Sequence, residues 1–158
     1  MKLESICQEL KLVEIVPAQH VGAITGDYID CKGFQKAFII VMCGYVSGTD
    51  SLLTLREAKT AIGGGVVATT KYPRIFVNLD TATSDTLAEV TAAATYILNL
   101  DQEATNHMVV FEWDCVKFSE GFYYLNLLVG AGSASNFISA LFVGVPRYTP
   151  AADITALV

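Results

Sequence analysis

Met108 to Val116 reads MVVFEWDCV: Val109, Phe111, Trp113 and Cys115 recur at every second position, opposed by Val110, Glu112 and Asp114. Side chains of a strand alternate between two faces, so this spacing predicts a strand with one face in a core. Arg74 to Asp80 does the same, with Ile75, Val77 and Leu79 on one side and Phe76, Asn78 and Asp80 on the other. Three longer runs lack the alternation: Ala37 to Tyr45 (AFIIVMCGY), Phe122 to Val129 (FYYLNLLV) and Phe137 to Val145 (FISALFVGV). Such nearly continuous β-branched and aromatic residues predict strands covered on both faces, the centre of the fold or the centre plus an interface.

Shorter patterns at Leu10 to Val16, Asp27 to Cys31, Leu52 to Ala58, Val66 to Thr69 and Thr95 to Leu100 bring the expected total to about eight to ten strands, at the spacing of sandwiches and barrels. Glycines at 22, 26, 33, 48, 63–65, 121, 130 and 132 punctuate these runs, where positive φ is often required. Thr86-Leu-Ala-Glu89 has capping-box spacing and is followed by helix formers to Ala94, so a short helix competes there with the β-branched Thr91 and Thr95. Lys2 to Leu10 is a second helical candidate. The Thr/Ala-rich stretch from Thr81 to Thr95 reads as an exposed excursion between strands. The expected fold is mostly β: a single-domain β-sandwich over residues 1–158, with at most one or two short helices, an N-terminal arm at about 1–16 and a C-terminal tail at about 149–158.

Of the 158 residues, 53% are hydrophobic and only 16% charged, against a usual charged share of about 25%. So few charges coat a lone monomer poorly, which predicts apolar surface covered by partners. The net charge of −6 comes with Lys and Arg scattered singly, so no basic stripe tracks a phosphate backbone and nucleic acid is not an expected partner. The longest apolar stretches fall far short of the roughly 20 residues a spanning helix needs, so no membrane partner is expected. Glu4, Glu9, Lys11 and Glu14 interrupt the N-terminus where a signal peptide would be apolar, which predicts synthesis in the cytoplasm.

The reactive residue types do not form a recognisable constellation. Cys7, Cys31, Cys43 and Cys115 are widely separated, without a CxxC pair, and read as buried free thiols or, for Cys7, as a late crosslink between subunits. His20 and His107 have no second ligand at metal spacing, and no GxSxG elbow, HExxH helix or P-loop occurs. Leu79-Asp80-Thr81-Ala82 resembles the Asp-Thr-Gly loop of aspartic proteases, in which two carboxylates share a proton, but Ala82 stands where the glycine belongs. Asp27, Asp30 and Asp114 are a conceivable calcium cluster without EF-hand spacing, and Tyr123, Tyr124, Tyr148 and Trp113 a conceivable sugar platform. Core or turn roles explain both sets more simply. No enzymatic activity, cofactor or metal is expected.

Gly26-Asp-Tyr-Ile-Asp30, Lys32-Gly-Phe34 with the strand from Ala37, Leu53-Thr-Leu-Arg-Glu-Ala58, Gly121-Phe-Tyr-Tyr-Leu125, the GAGSAS turn and Ala140 to Tyr148 together form a pattern that covers about two thirds of the chain. It resembles the head decoration, or capsid cement, proteins of tailed bacteriophages. The resemblance implies a jelly-roll-like sandwich on the virion exterior. Such a protein binds the major capsid protein, often as a homotrimer, and tightens contacts between capsomers after synthesis in the host cytoplasm. A head–tail or tail accessory module and a carbohydrate-binding module are the alternatives, and a protease-like dimer is a remote one. The expected assembly contacts are Cys7, Leu12 and Val16 on the arm, and Arg147 and Tyr148 at the start of a C-terminal strip, with the planar guanidinium of Arg147 suited to gripping a neighbour's carboxylate or carbonyls.

Overall fold

The computed structural model describes residues 10–20, 22–44, 50–98, 106–132 and 136–147. These hold twelve strands: β1 (Lys11–His20), β2 (Ile24–Thr25), β3 (Ile29–Asp30), β4 (Phe34–Gly44), β5 (Ser51–Ala58), β6 (Val67–Ala68), β7 (Arg74–Asn78), β8 (Ala88–Val90), β9 (Thr95–Leu98), β10 (His107–Asp114), β11 (Tyr124–Val129) and β12 (Phe137–Pro146). The one helical element among them is a 3-10 turn at Cys115–Lys117.

Every ladder is antiparallel, and the strands form two sheets. The first runs β1-β12-β4-β10-β7-β8; the second runs β2-β11-β5-β6, with β3 also on β11 and β9 also on β5. The chain passes back and forth between the sheets while its first and last strands pair side by side. Stripped of the added β7–β8 pair, the orders β1-β12-β4-β10 and β2-β11-β5-β6 are those of a jelly roll, a β-sandwich as the alternation in β7 and β10 predicts.

The residues at alternate positions supply the core. Ile39 and Val41 of β4, Val109, Phe111 and Trp113 of β10, and Ala140 and Phe142 of β12 meet Leu53 and Leu55 of β5 and Leu125, Leu127 and Val129 of β11. Phe34 packs edge-on against Phe142, ring centroids 5.5 Å apart. Gly144 makes this possible, because a Cβ there would stand 2.6 Å from the Phe34 ring. Trp113 meets Phe118 in the same edge-on manner at 5.5 Å.

The second sheet is pinned by a polar group. Asn126 of β11 points away from the core yet is completely buried. Its Oδ1 accepts from Arg56 Nε at 2.9 Å, and its amide donates to the Gly26 carbonyl and, at 3.4 Å, to that of Asp27. One side chain thus joins β5, β11 and the connection between β2 and β3. Nearby, the buried Glu57 accepts from the Ser119 backbone N–H at 3.1 Å and from the Ser119 hydroxyl at 2.5 Å.

Several sequence expectations change. Residues 86–94 form no helix: Ala88–Val90 is an edge strand on β7, where Glu89 stands opposite Phe76. The Glu89 carboxylate is held by Arg74 across the ladder, at 2.8 and 2.9 Å, instead of reaching back to a cap. The excursion is exposed from Ala82 to Glu89, but β8 and β9 extend one sheet each, and Leu55 N–H donates to Ala94 O at 2.8 Å. The arm does not reach residue 16, because Lys11 onward is β1, paired with β12 from Lys11 opposite Gly144. The helical candidate at Lys2 to Leu10 falls, apart from Leu10, outside the described residues, as does the tail from residue 148.

Candidate docking face

The first sheet has an inner face in the core and an outer face that no described element covers. Register assembles that outer face row by row. Leu12 of β1 stands beside Val143 of β12, which stands beside Phe38 of β4. The next row is Leu141, Ile40, Val110 and Phe76 on β12, β4, β10 and β7. The third places Ser139 beside Met42 and Met42 beside Met108, and Phe137 stands beyond it at the end of β12. Apart from Ser139 these side chains are all apolar. Phe137 is 51% exposed, Met42 46% and Leu12 39%.

The area follows from strand geometry. Strands about 4.8 Å apart, with same-face residues about 6.8 Å apart along each strand, make this apolar field roughly 330 Å². Patches of that size on a soluble domain commonly mark interaction sites.

The rim is charged on both sides: on β1, the exposed Glu14 stands beside Leu141, and the other side carries ion pairs. Lys36 forms an ion pair with Glu112, whose other oxygen lies 3.5 Å from Arg74 Nη1. Arg74 grips Glu89 with two N–H groups, and its guanidinium lies 4.8 Å from the Phe76 ring centroid. Its hydrogen bonds hold Glu89 below the usual carboxylate range, and Glu89 in turn raises Arg74. Exposed pairs such as these add little to stability. They bound the apolar field along β4, β10, β7 and β8, as a polar rim bounds an interface core.

The expected assembly residues fare differently. Leu12 lies on the docking face. Val16, opposite Ala140, is wholly buried in this chain's own core, so it is a packing residue and not a surface contact. Arg147 is turned homeward: its Nε donates to the Phe34 carbonyl at 2.8 Å and its backbone N–H to Gly33 O at 3.0 Å, fastening the end of β12 to the turn before β4. Cys7 and Tyr148 lie outside the described residues. The sequence reading passed over Ile40, Leu141, Val110 and Phe76 as individual contacts. The signal for Ile40 and Leu141 was the missing alternation in the runs from Ala37 and Phe137, and that for Val110 and Phe76 was an apolar residue on the face opposite the core residues of Met108 to Val116 and Arg74 to Asp80.

The chemical candidates resolve into structure. Asp80 accepts from the Ala82 N–H at 3.2 Å and from the Thr83 hydroxyl at 2.5 Å, so both carboxylate oxygens cap its own turn. Asp30 accepts from Lys32 N–H at 3.0 Å and Asp114 from Val116 N–H at 3.2 Å, and among the described residues no three His, Cys, Asp or Glu side chains converge on a metal position. Trp113 is in the core and cannot stack on a sugar, while the Tyr123 ring is capped by Lys32, 4.8 Å from its centroid. His107 stands opposite Cys43 on the β10–β4 ladder, and the two share an open cleft of about 310 Å³ with Thr81, Asn106 and Ser139. Burial pushes the Cys43 thiol up to about 11 and holds His107 below its ordinary value, the latter opposed by the Asp80 charge. That is the reverse of the thiolate–imidazolium pair that nucleophilic catalysis uses. No described helix is long and apolar enough to cross a membrane.

No protein-family model matches the chain, and no curated protein matches it. Among solved structures it is similar to the SPBc2 prophage-derived protein YomS, with 12% sequence identity, a TM-score of 0.46, and coverage of 85% of this chain and 93% of that one.

Proposed function

We propose that this chain is a structural virion protein, without enzymatic activity, that docks on the exterior of a bacteriophage capsid through the outer face of its first sheet and stabilises contacts between capsomers. The observation that carries the reading is the contiguous apolar field on β12, β4, β10 and β7, bounded by charged residues. Burial of such a field releases ordered water and contributes about 25 cal/mol per Å² of apolar area. The capsid-cement pattern in the sequence supplies the partner, the major capsid protein, and the homotrimer as the docking unit. A jelly-roll strand order is compatible with this role but does not decide it, since the same architecture serves lectins as well as shells.

Cementing of this kind works by mass action. A protein that binds only the assembled shell stabilises it by RT ln(1 + [L]/Kd), about 4 kcal/mol per site at a thousandfold excess over Kd.

The test is to purify particles by density gradient from cells producing the chain and to quantify it by mass spectrometry. The native chain is expected in the particle fraction at a fixed ratio to the capsid protein. Leu141→Lys places a charge in the centre of the face and is expected to lower that ratio at least tenfold, while free Leu141→Lys protein keeps the native emission of Trp113. Absence of the native chain from intact particles, or undiminished incorporation of Leu141→Lys, would overturn the proposal.

A further inference from the structure

At the opposite margin of the fold from the His107 cleft, two thiols from different sheets meet. Cys31 directly follows β3 of the second sheet, and Cys115 opens the 3-10 turn that follows β10 of the first. Cys31 is 1% exposed and Cys115 4%. Both line one open cleft of about 520 Å³, together with Lys32, Phe118, Tyr123 and Arg147. The Cys31 thiol donates to the Ile29 carbonyl at 3.5 Å, and Cys115 is the neighbouring thiol that acts on it. Neither is crosslinked in this structure.

The surroundings fix these positions. The Cys31 N–H donates to Tyr123 O at 2.9 Å and its carbonyl accepts from Phe34 N–H at 3.1 Å, while Asp114 caps the turn that carries Cys115. Anchored backbones hold both cysteines at one cleft, and closure requires side-chain rotation to bring their sulfurs to bonding distance. Sequence spacing gives no hint of this, because the pairing crosses the sandwich.

We propose that Cys31 and Cys115 are a redox modification site that closes to an intramolecular disulfide when the folded protein meets a small-molecule disulfide. The Cys115 thiolate attacks one sulfur of the oxidant, forming a mixed disulfide and releasing one small thiolate. The Cys31 thiolate then attacks Cys115 Sγ, forming the Cys31–Cys115 bond and releasing the second. The two protein thiols lose two electrons and two protons, and one small disulfide becomes two small thiols. Burial and the neighbouring Cys115 push the Cys31 thiol up, which lowers its thiolate fraction and makes closure slow. The bond would staple the end of β3 to the end of β10, closing a loop that spans β4 through β10, and a loop of that length is where a crosslink restricts the unfolded chain most. The inference is independent of the virion reading and holds whether or not the chain binds a capsid.

The experiment incubates the folded protein with oxidised glutathione, blocks remaining thiols with iodoacetamide after denaturation, and maps linked peptides by mass spectrometry. A peptide pair joining Cys31 to Cys115 is expected, with the thermal midpoint raised by about 5–15 °C relative to reduced protein. Cys115→Ser should lose both the linked pair and the shift. Carbamidomethylated Cys31 and Cys115 after exhaustive oxidation, or either cysteine linked elsewhere, would overturn the proposal.

Discussion

Phe142→Ala is expected to destabilise the protein by about 3–5 kcal/mol, the range for deleting a fully buried aromatic ring. Phe142 is completely buried at the middle of β12, opposite Ile39 of β4 and Val13 of β1. Its removal leaves a void between the sheets and strips the edge-on partner from Phe34, a contact worth about 1 kcal/mol beyond area. Relaxation is hindered, since Phe34 already occupies the space that Gly144 leaves open. For a domain of this size the loss lowers the thermal midpoint by about 6–20 °C. Urea unfolding followed by the emission of Trp113, the single tryptophan, reads the change directly. A cost below about 1.5 kcal/mol would mean that the ring is not locked between the sheets.

Asn126→Leu is expected to cost about 3 kcal/mol although it puts a hydrophobic side chain into a fully buried position of similar volume. The substitution leaves the Gly26 and Asp27 carbonyls and the Arg56 guanidinium without their shared partner, and each buried group left unpaired costs about 1–3 kcal/mol. Arg56→Leu alone should cost less, because Asn126 keeps its bonds to the β2–β3 connection. The two substitutions should couple, the double variant being less destabilised than the sum by about 1 kcal/mol. Urea midpoints for the four proteins close this cycle. Strict additivity would show that Arg56 and Asn126 do not act as one group.

These two positions also mark what the sequence could and could not reveal. Phe142 belongs to an apolar run, and such runs place themselves in the centre of a β fold. The alternation in β10 and β7 grouped Val109, Phe111, Trp113 and Cys115, and Ile75 and Val77, on faces that form the core, whereas Leu79, grouped with Ile75 and Val77, lies past the end of β7 and is exposed. Asn126 was invisible as a structural post, because its partners are carbonyls about a hundred residues away in sequence and an arginine on another strand. The edge strand at Ala88–Val90 was hidden for a related reason: local spacing favoured a capped helix, and the cross-strand grip of Arg74 on Glu89 outweighed it. Edge strands depend on their ladder neighbour more than on their own propensity.

The apolar outer face was half legible. The runs from Ala37 and Phe137 announced two apolar faces, but which outward residues share a surface depends on register between strands distant in the chain. Of the two described residues expected on the N-terminal segment, Leu12 is exposed on this face, whereas Val16 is buried in the core. A bulge between Glu14 and Val16 breaks the alternation in β1 and turns both Ile15 and Val16 inward. The Cys31–Cys115 contact was not legible at all, for it joins two sheets at their margins.

Oxidative footprinting of the methionines tests the docking face most directly. Met42 is 46% exposed and sits beside Met108 at the middle of the face, so dilute hydrogen peroxide should convert Met42 to its sulfoxide readily in the free protein. In particle-bound protein the account predicts at least tenfold slower oxidation of Met42, with Met108 protected alongside it. Equal rates in the free and bound states would place this face in solvent on the particle and contradict the account.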